Sequence, residues 1–183
     1  YSPHQSVPGT RMPFVGTYGG KRFQDAGCEA HALSDQQREF LGKEHIRHVL
    51  LTTVKDAATS AKWNNELQKM AEAMPHGIPV NISTDPRNGA RDSSTVEFRT
   101  GGESVSKWPE GVGFAACFDP EVVRQFAEDA SREYRALGIC TALGPQIDLC
   151  TEPRWMRFID TLGMQTAASK QMVKAYCDGM QTT

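Results

Sequence analysis

Gly144-Pro-Gln-Ile-Asp-Leu-Cys-Thr-Glu-Pro-Arg-Trp-Met-Arg157 follows the apolar run Ile139–Leu143, and Ile82-Ser-Thr-Asp-Pro-Arg-Asn-Gly89 continues a run that begins at Ile78. Both runs are short, apolar and bounded by turn formers, so each reads as a buried strand. Fixed charge and backbone-bending residues crowd the stretch after each run. Carboxylates accept paired hydroxyls, Arg donates in a rigid fork, and an aromatic face covers C–H surface. Such groups at the ends of successive strands suit a polyhydroxylated ligand.

Outward from these two segments, helical patterns separate the strands. In residues 56–74, Ala57, Ala61, Leu67, Met70, Ala71 and Met74 share a face opposite Lys62, Asn65, Glu66, Lys69 and Glu72, which predicts an amphipathic helix stopped by Gly77 and Pro79. Asp119-Pro120-Glu121 supplies a cap, a first-turn Pro and an early acid ahead of the stripe Val122, Val123, Phe126, Ala130, Tyr134 and Leu137. That predicts a helix over 119–137, closed by Gly138. Ala167–Met180 predicts another, and Ser34 with Gln37 at the capping-box position predicts a short one over 35–44. Ile46–Val54, around Val49-Leu50-Leu51, predicts a further strand, and Gly113–Cys117 a short buried one. Tyr1–Ala32 reads as loop or irregular structure, and Thr84–Lys107 as a long polar loop of a length that is usually functional or mobile. Strands alternating with helices predict about four βα units and a mostly parallel sheet.

The 183 residues carry a net charge of −2, and no basic field suits nucleic acid or an anionic membrane. No apolar run approaches the ~18 residues that a membrane span needs. The five cysteines, Cys28, Cys117, Cys140, Cys150 and Cys177, are widely spaced and form no Cys-x-x-Cys pair, which argues against a zinc or thioredoxin-type site. Cys117 and Cys140 lie in apolar runs and are expected to be small buried hydrophobes. His45 and His48 are three apart, but no cysteine stands beside them and Glu44 is the one adjacent acid, so a metal site is not expected. No cofactor is implied.

Three segments together resemble glycoside hydrolase family 3, the β-glucosidase-like enzymes. Ile78 to Gly89 matches a pattern like I-P-x-x-x-x-T-D-x-x-x-G. Trp108 to Val122 carries W/F-P-x-x-x-G-x-A-A-x-x-D-P, and Pro145 to Arg157 matches P-x-x-D-x-x-x-x-P-R-W-x-R. The resemblance covers roughly Lys43 to Gln181. It implies an α/β fold that is the first half of a (β/α)8 TIM-type barrel, to be completed by residues outside this chain, since such a barrel needs about 250 residues. Residues 1–42 are then a loosely structured leading segment and 43–183 the half barrel.

By resemblance, Asp85 binds hydroxyls of the nonreducing-end sugar, whereas its residue type alone also fits a turn cap before Pro86. Arg157 matches the arginine that binds sugar hydroxyls. Asp148 either joins it or orients it, Arg154 either reaches the sugar or bonds loop carbonyls, and Trp155 either packs or forms a sugar platform. Two positions depart from the family pattern: Asn88 stands where many members have His, and Leu162-Gly-Met-Gln-Thr166 replaces Phe-Gly-Glu-Asp-Pro. The family's nucleophile motif, Ser/Thr-Asp-Trp-like, and its Lys-His pair are not found among these residues, so no catalytic residue is assigned. The expected activity is exo-acting, retaining hydrolysis of a β-linked oligosaccharide or glycoside, with the rest of the same enzyme as partner. A catalytically inactive carbohydrate-binding barrel fragment is the main alternative. A flavodoxin-like domain binding a phosphorylated molecule would need an apolar strand before Gly16-Thr-Tyr-Gly-Gly20, and none precedes it.

Overall fold

The computed structural model describes residues 16–51, 56–85, 88 and 105–182. In chain order the elements are α1 (Phe23–Ala26), α2 (Asp35–Gly42), β1 (His48–Leu50), α3 (Ala57–Glu72), β2 (Asn81–Thr84), α4 (Gly111–Cys117), α5 (Pro120–Ala136), β3 (Thr141–Ala142), a 3-10 turn (Phe158–Asp160) and α6 (Thr166–Gln181). The strands form one three-stranded sheet in the order β1-β2-β3, and both pairings are parallel.

Register is fixed by backbone and side chain together. Val49 stands opposite Ile82, and Ser83 opposite Thr141. Leu51 N donates to Ser83 O at 2.8 Å and Leu143 N to Thr84 O at 2.9 Å, carrying the ladder past the strand ends. Thr84 is fully buried, and its hydroxyl donates to Leu51 O at 3.0 Å, which removes the penalty of an unpaired polar group there. Ile82 and Thr84 alternate with the half-buried Asn81 and Ser83, the period of two that a strand with one apolar face requires.

The helices begin where the chain offers caps. Ser34 and Gln37 close a full capping box on α2. Asp56 accepts from Thr59 N to start α3, and Asp119 accepts from Glu121 N ahead of Pro120 in α5. One continuous core joins Leu41, Val49, Trp63, Leu67 and Ile82 to Phe114, Phe126, Tyr134 and Tyr176. Leu33 and Leu41 of the leading segment are part of it. Helices α5 and α6 pack closely because Gly179 has no side chain: a Cβ there would lie 2.6 Å from Arg124 O and 2.7 Å from Ala127 Cβ. Ser131 Oγ donates across the same contact to Met180 O at 3.0 Å.

Several sequence expectations are corrected. Gly113–Cys117 belongs to helix α4 and not to a strand, so the described residues hold three parallel strands where four βα units were expected. The cause is tertiary. Phe114 is pinned between Trp108 and Phe126, with ring centroids at 6.3 and 4.9 Å. Gly111 abuts the 3-10 turn so closely that a Cβ would lie 2.2 Å from Asp160 O. Cys117, the last residue of α4, and Cys140, which alternates outward after the buried Ile139, are both exposed, and it is Cys150 that is buried. The inward stripe of α3 is Ser60, Trp63, Leu67 and Ala71, while Ala57 is exposed. Trp63, the largest fully buried side chain, sets that face. Tyr1–Ala32 is not all loop, since α1 forms within it. Residues 52–54 of the expected strand and 86–87 and 89–104 of the expected loop lie outside the described residues.

Candidate functional site

Parallel strands point their C-terminal ends the same way, and the chain that leaves them gathers on one face of the sheet. Asp85 is the first residue after β2, and Leu143-Gly144-Pro145 leave β3. Between these exits lies a cavity of about 280 Å³. Its walls hold the charged and polar side chains of Asp85, Glu110, Gln146, Asp148, Arg157 and Asp160. Phe114 of α4, Phe126 of α5 and Tyr176 of α6 form an apolar base. The concave shape, aromatic base and convergent polar groups are features of small-molecule sites.

The structure brings together three of the four sequence-predicted site residues. Asp85 is half-buried, whereas Asp148 and Arg157 are exposed at the rim. The Arg157 guanidinium lies over the Trp155 ring at 5.2 Å from its centroid, so Trp155 serves the arginine from beneath. Arg154 goes elsewhere. Its Nε and Nη2 each lie 2.9 Å from a different oxygen of Glu152, and its backbone N donates to Oε1 of the same carboxylate at 2.8 Å. These bonds hold the Glu152 carboxyl below its usual range, and the 89% exposed Arg154 side chain lies outside the cavity walls.

Tyr176 and Gln146 escaped the sequence reading. Both residues line the cavity, and the phenol oxygen of Tyr176 and Nε2 of Gln146 are buried with no hydrogen-bond partner among the described residues. Burial pushes the Tyr176 phenol well above its ordinary range, with Cys177 and Asp85 adding to the effect, so it stays protonated and is a donor. The one sequence signal for Tyr176 is a polar-tipped aromatic on an apolar helix face, whose hydroxyl needs a partner.

A second feature also escaped it. Asn88, only 3% exposed, accepts from the Tyr134 hydroxyl at 2.5 Å through Oδ1 and donates to Glu133 Oε2 at 3.2 Å through Nδ2. Glu133 accepts from Ser106 N at 2.8 Å and Ser106 Oγ at 3.1 Å. The Trp108 indole donates to Ser106 Oγ at 2.9 Å, and Trp108 N donates to Asn88 O at 2.7 Å. Burial first, then Tyr176, Glu133 and Asp85, pushes the Tyr134 phenol well up and keeps its proton available to Asn88.

Comparison with known proteins follows from this geometry. Residues 15–183 match the glycosyl hydrolase family 3 N-terminal domain. The chain is 37% identical over 162 residues to β-glucosidase C of Emericella nidulans, spanning 88% of this chain and 26% of that protein. It is 49% identical over 124 residues to a periplasmic β-glucosidase/β-xylosidase of Dickeya chrysanthemi, spanning 68% of this chain and 19% of that protein. The chain thus spans about a quarter or less of the length of these curated relatives. In fold it resembles a glycoside hydrolase family 3 β-N-acetylglucosaminidase from Paenibacillus sp. str. FPU-7, at a TM-score of 0.64 and 23% identity, over 82% of this chain and 28% of that one.

Proposed function

The chain belongs to glycosyl hydrolase family 3, within its N-terminal domain, and from that membership we propose that it supplies part of the sugar-binding wall of an exo-acting, retaining β-glycosidase of the β-glucosidase type. The observation that carries this reading is the convergence of Asp85, Asp148 and Arg157 on one cavity at the C-terminal ends of β2 and β3, the end of the sheet where enzymes of (β/α)8 architecture place their sites. Asp85 accepts hydroxyls at the half-buried inner wall. Arg157 donates from the rim, and Asp148 beside it accepts a hydroxyl or orients the guanidinium. Tyr176 and Gln146 add buried donors for hydroxyls that reach the base. Arg154 has a loop role, closing the Glu152–Arg154 turn that delivers Arg157.

Retaining hydrolysis needs two carboxyl groups about 5–5.5 Å apart, one as nucleophile and one as acid/base. The motif that provides the nucleophile in the family is not among these residues, so the proposal includes the rest of the enzyme. Among the described residues β3 pairs only with β2, and a second concavity of about 590 Å³ runs past Ile139, Thr141, Tyr176 and Met180. An additional barrel element laid against β3 covers this edge. The test is steady-state kinetics on an aryl β-glucoside with the complete enzyme. Asp85→Ala is expected to raise KM and lower kcat/KM by about tenfold or more, as loss of a hydrogen bond to a charged group does. Wild-type kinetics in that variant removes Asp85 from the site. Sugar binding by the wild type without turnover selects the inactive carbohydrate-binding alternative.

A further inference from the structure

The buried cluster around Asn88 has no part in the sugar contacts just described, yet it joins two distant parts of the chain to one helix. Asn88 follows Asp85 by three residues and lines the same cavity. Three of its polar groups are tied down: Oδ1 by Tyr134, Nδ2 by Glu133 and the carbonyl by Trp108 N. The Glu133 carboxylate accepts from Asn88 and twice from Ser106, so one carboxylate fastens residues on both sides of the 89–104 segment. Glu133 and Tyr134 lie in α5, which α6 and the Trp108–Phe126 ring contact hold in place.

We propose that Glu133 and Tyr134 are positioning residues for the sugar site: they hold Asn88, three residues after Asp85, and through it set how Asp85 faces its ligand. The inference rests on Asp85 binding sugar, and it adds that this geometry is set from α5 and not by Asp85's own strand alone. A polar network bonded at this many points favours one arrangement, because the alternatives strand the buried Asn88 amide or Tyr134 hydroxyl. Misplacing a binding group by an ångström through a support some way from the ligand weakens binding without removing any group that touches it.

The test uses the complete enzyme and an aryl β-glucoside. Tyr134→Phe removes one hydroxyl and keeps the buried ring, so the fold is retained. It is expected to raise KM about three- to tenfold, the effect of one lost hydrogen bond, with kcat changed less. Glu133→Gln, which keeps an acceptor for Ser106 N, is expected to be milder than Glu133→Ala. The decisive measurement is a double-mutant cycle: in an Asp85→Ala background, Tyr134→Phe should add almost nothing, since the group it positions is gone. Full, multiplicative losses in that background overturn the inference while leaving Asp85 as a sugar ligand. Unchanged KM in Tyr134→Phe overturns it as well, whatever the melting temperature does. If Asp85→Ala alone is silent, the underlying sugar-site reading fails instead, and the two failures are told apart by that single variant.

Discussion

The guanidinium of Arg157 rests on the indole of Trp155, 5.2 Å from the ring centroid, two residues back along the same loop. The contact narrows the directions an exposed arginine takes, at the rim of a cavity that Asp85 and Asp148 also line. A cation over an aromatic face at an exposed site is worth about 0.5–1 kcal/mol. Trp155→Ala in the complete enzyme is therefore expected to raise KM for an aryl β-glucoside about two- to fivefold. Trp155→Phe, which keeps a face, should lose less. Equal losses in both variants would show that the indole contacts substrate or packs the loop instead of carrying the arginine.

Beneath the cavity, Phe126 is 5% exposed and touches Trp108, Phe114 and Tyr176, with centroids at 5.7, 4.9 and 6.2 Å. Its ring joins α4, α5 and α6 at one point. Phe126→Ala leaves a void that backbone this closely packed cannot fill, and the expected loss is about 3–5 kcal/mol. Chemical denaturation measures it through the shift in midpoint at constant slope. A change within error would place the ring in solvent.

Much of this architecture is legible in the chain itself, and the exceptions share a cause. Helix α5 begins and ends within a residue of its expected bounds because Asp119, Pro120 and Gly138 mark it locally. The capping box of Ser34 and Gln37 is local too. Gly113–Cys117 is apolar and short, and at that length periodicity does not separate strand from helix. The choice is made by Trp108 and Phe126, which lie outside the window. The same holds for the network: Glu133 reads as a solvent-side charge on an amphipathic helix, and its partner Asn88 lies 45 residues away in sequence. Arg154 and Arg157 occupy matching motif positions, but Glu152, two residues before Arg154, claims the first and leaves the second to the cavity.

Buried phenols give the fold an alkaline limit. Tyr18 is pushed up to about 12, by burial first and then by the charges of Cys28 and Asp35. Tyr134 and Tyr176 are also raised, chiefly by burial. In each case the native state favours the protonated phenol more than the unfolded chain does, so the unfolded state releases its proton first. The stabilisation is intact below the unfolded value of about 10 and is lost as pH climbs through the native values. The thermal midpoint is expected to stay level up to about pH 10 and then fall, with tyrosinate absorbance rising in step with unfolding. Early titration of most tyrosines in a still-folded protein would contradict the burial of Tyr134 and Tyr176.

The 183-residue chain on its own is expected to give no turnover of an aryl β-glucoside. In the proposed reading Asp85, Asp148 and Arg157 bind a sugar, but uniform binding does not lower the barrier to glycoside cleavage. That barrier falls when a nucleophile and a proton donor flank the anomeric carbon, and the family's Ser/Thr-Asp-Trp-like motif is not among these residues. Among the described residues β3 pairs only with β2, and that edge with the exposed Leu143, Ile147 and Met164 favours self-association, since an unpaired strand edge beside apolar side chains templates further pairing. Size-exclusion chromatography of the purified chain should show oligomers or aggregate. Co-expression with a polypeptide carrying the nucleophile motif should restore both a discrete size and hydrolysis. Turnover by the chain alone, with its intact mass confirmed, would place the nucleophile within these residues, and the carboxylates of the cavity would be the first to test. Asp85, Glu110, Asp148 and Asp160 would then be the candidates, and replacing each in turn by its amide would identify which one forms the glycosyl-enzyme.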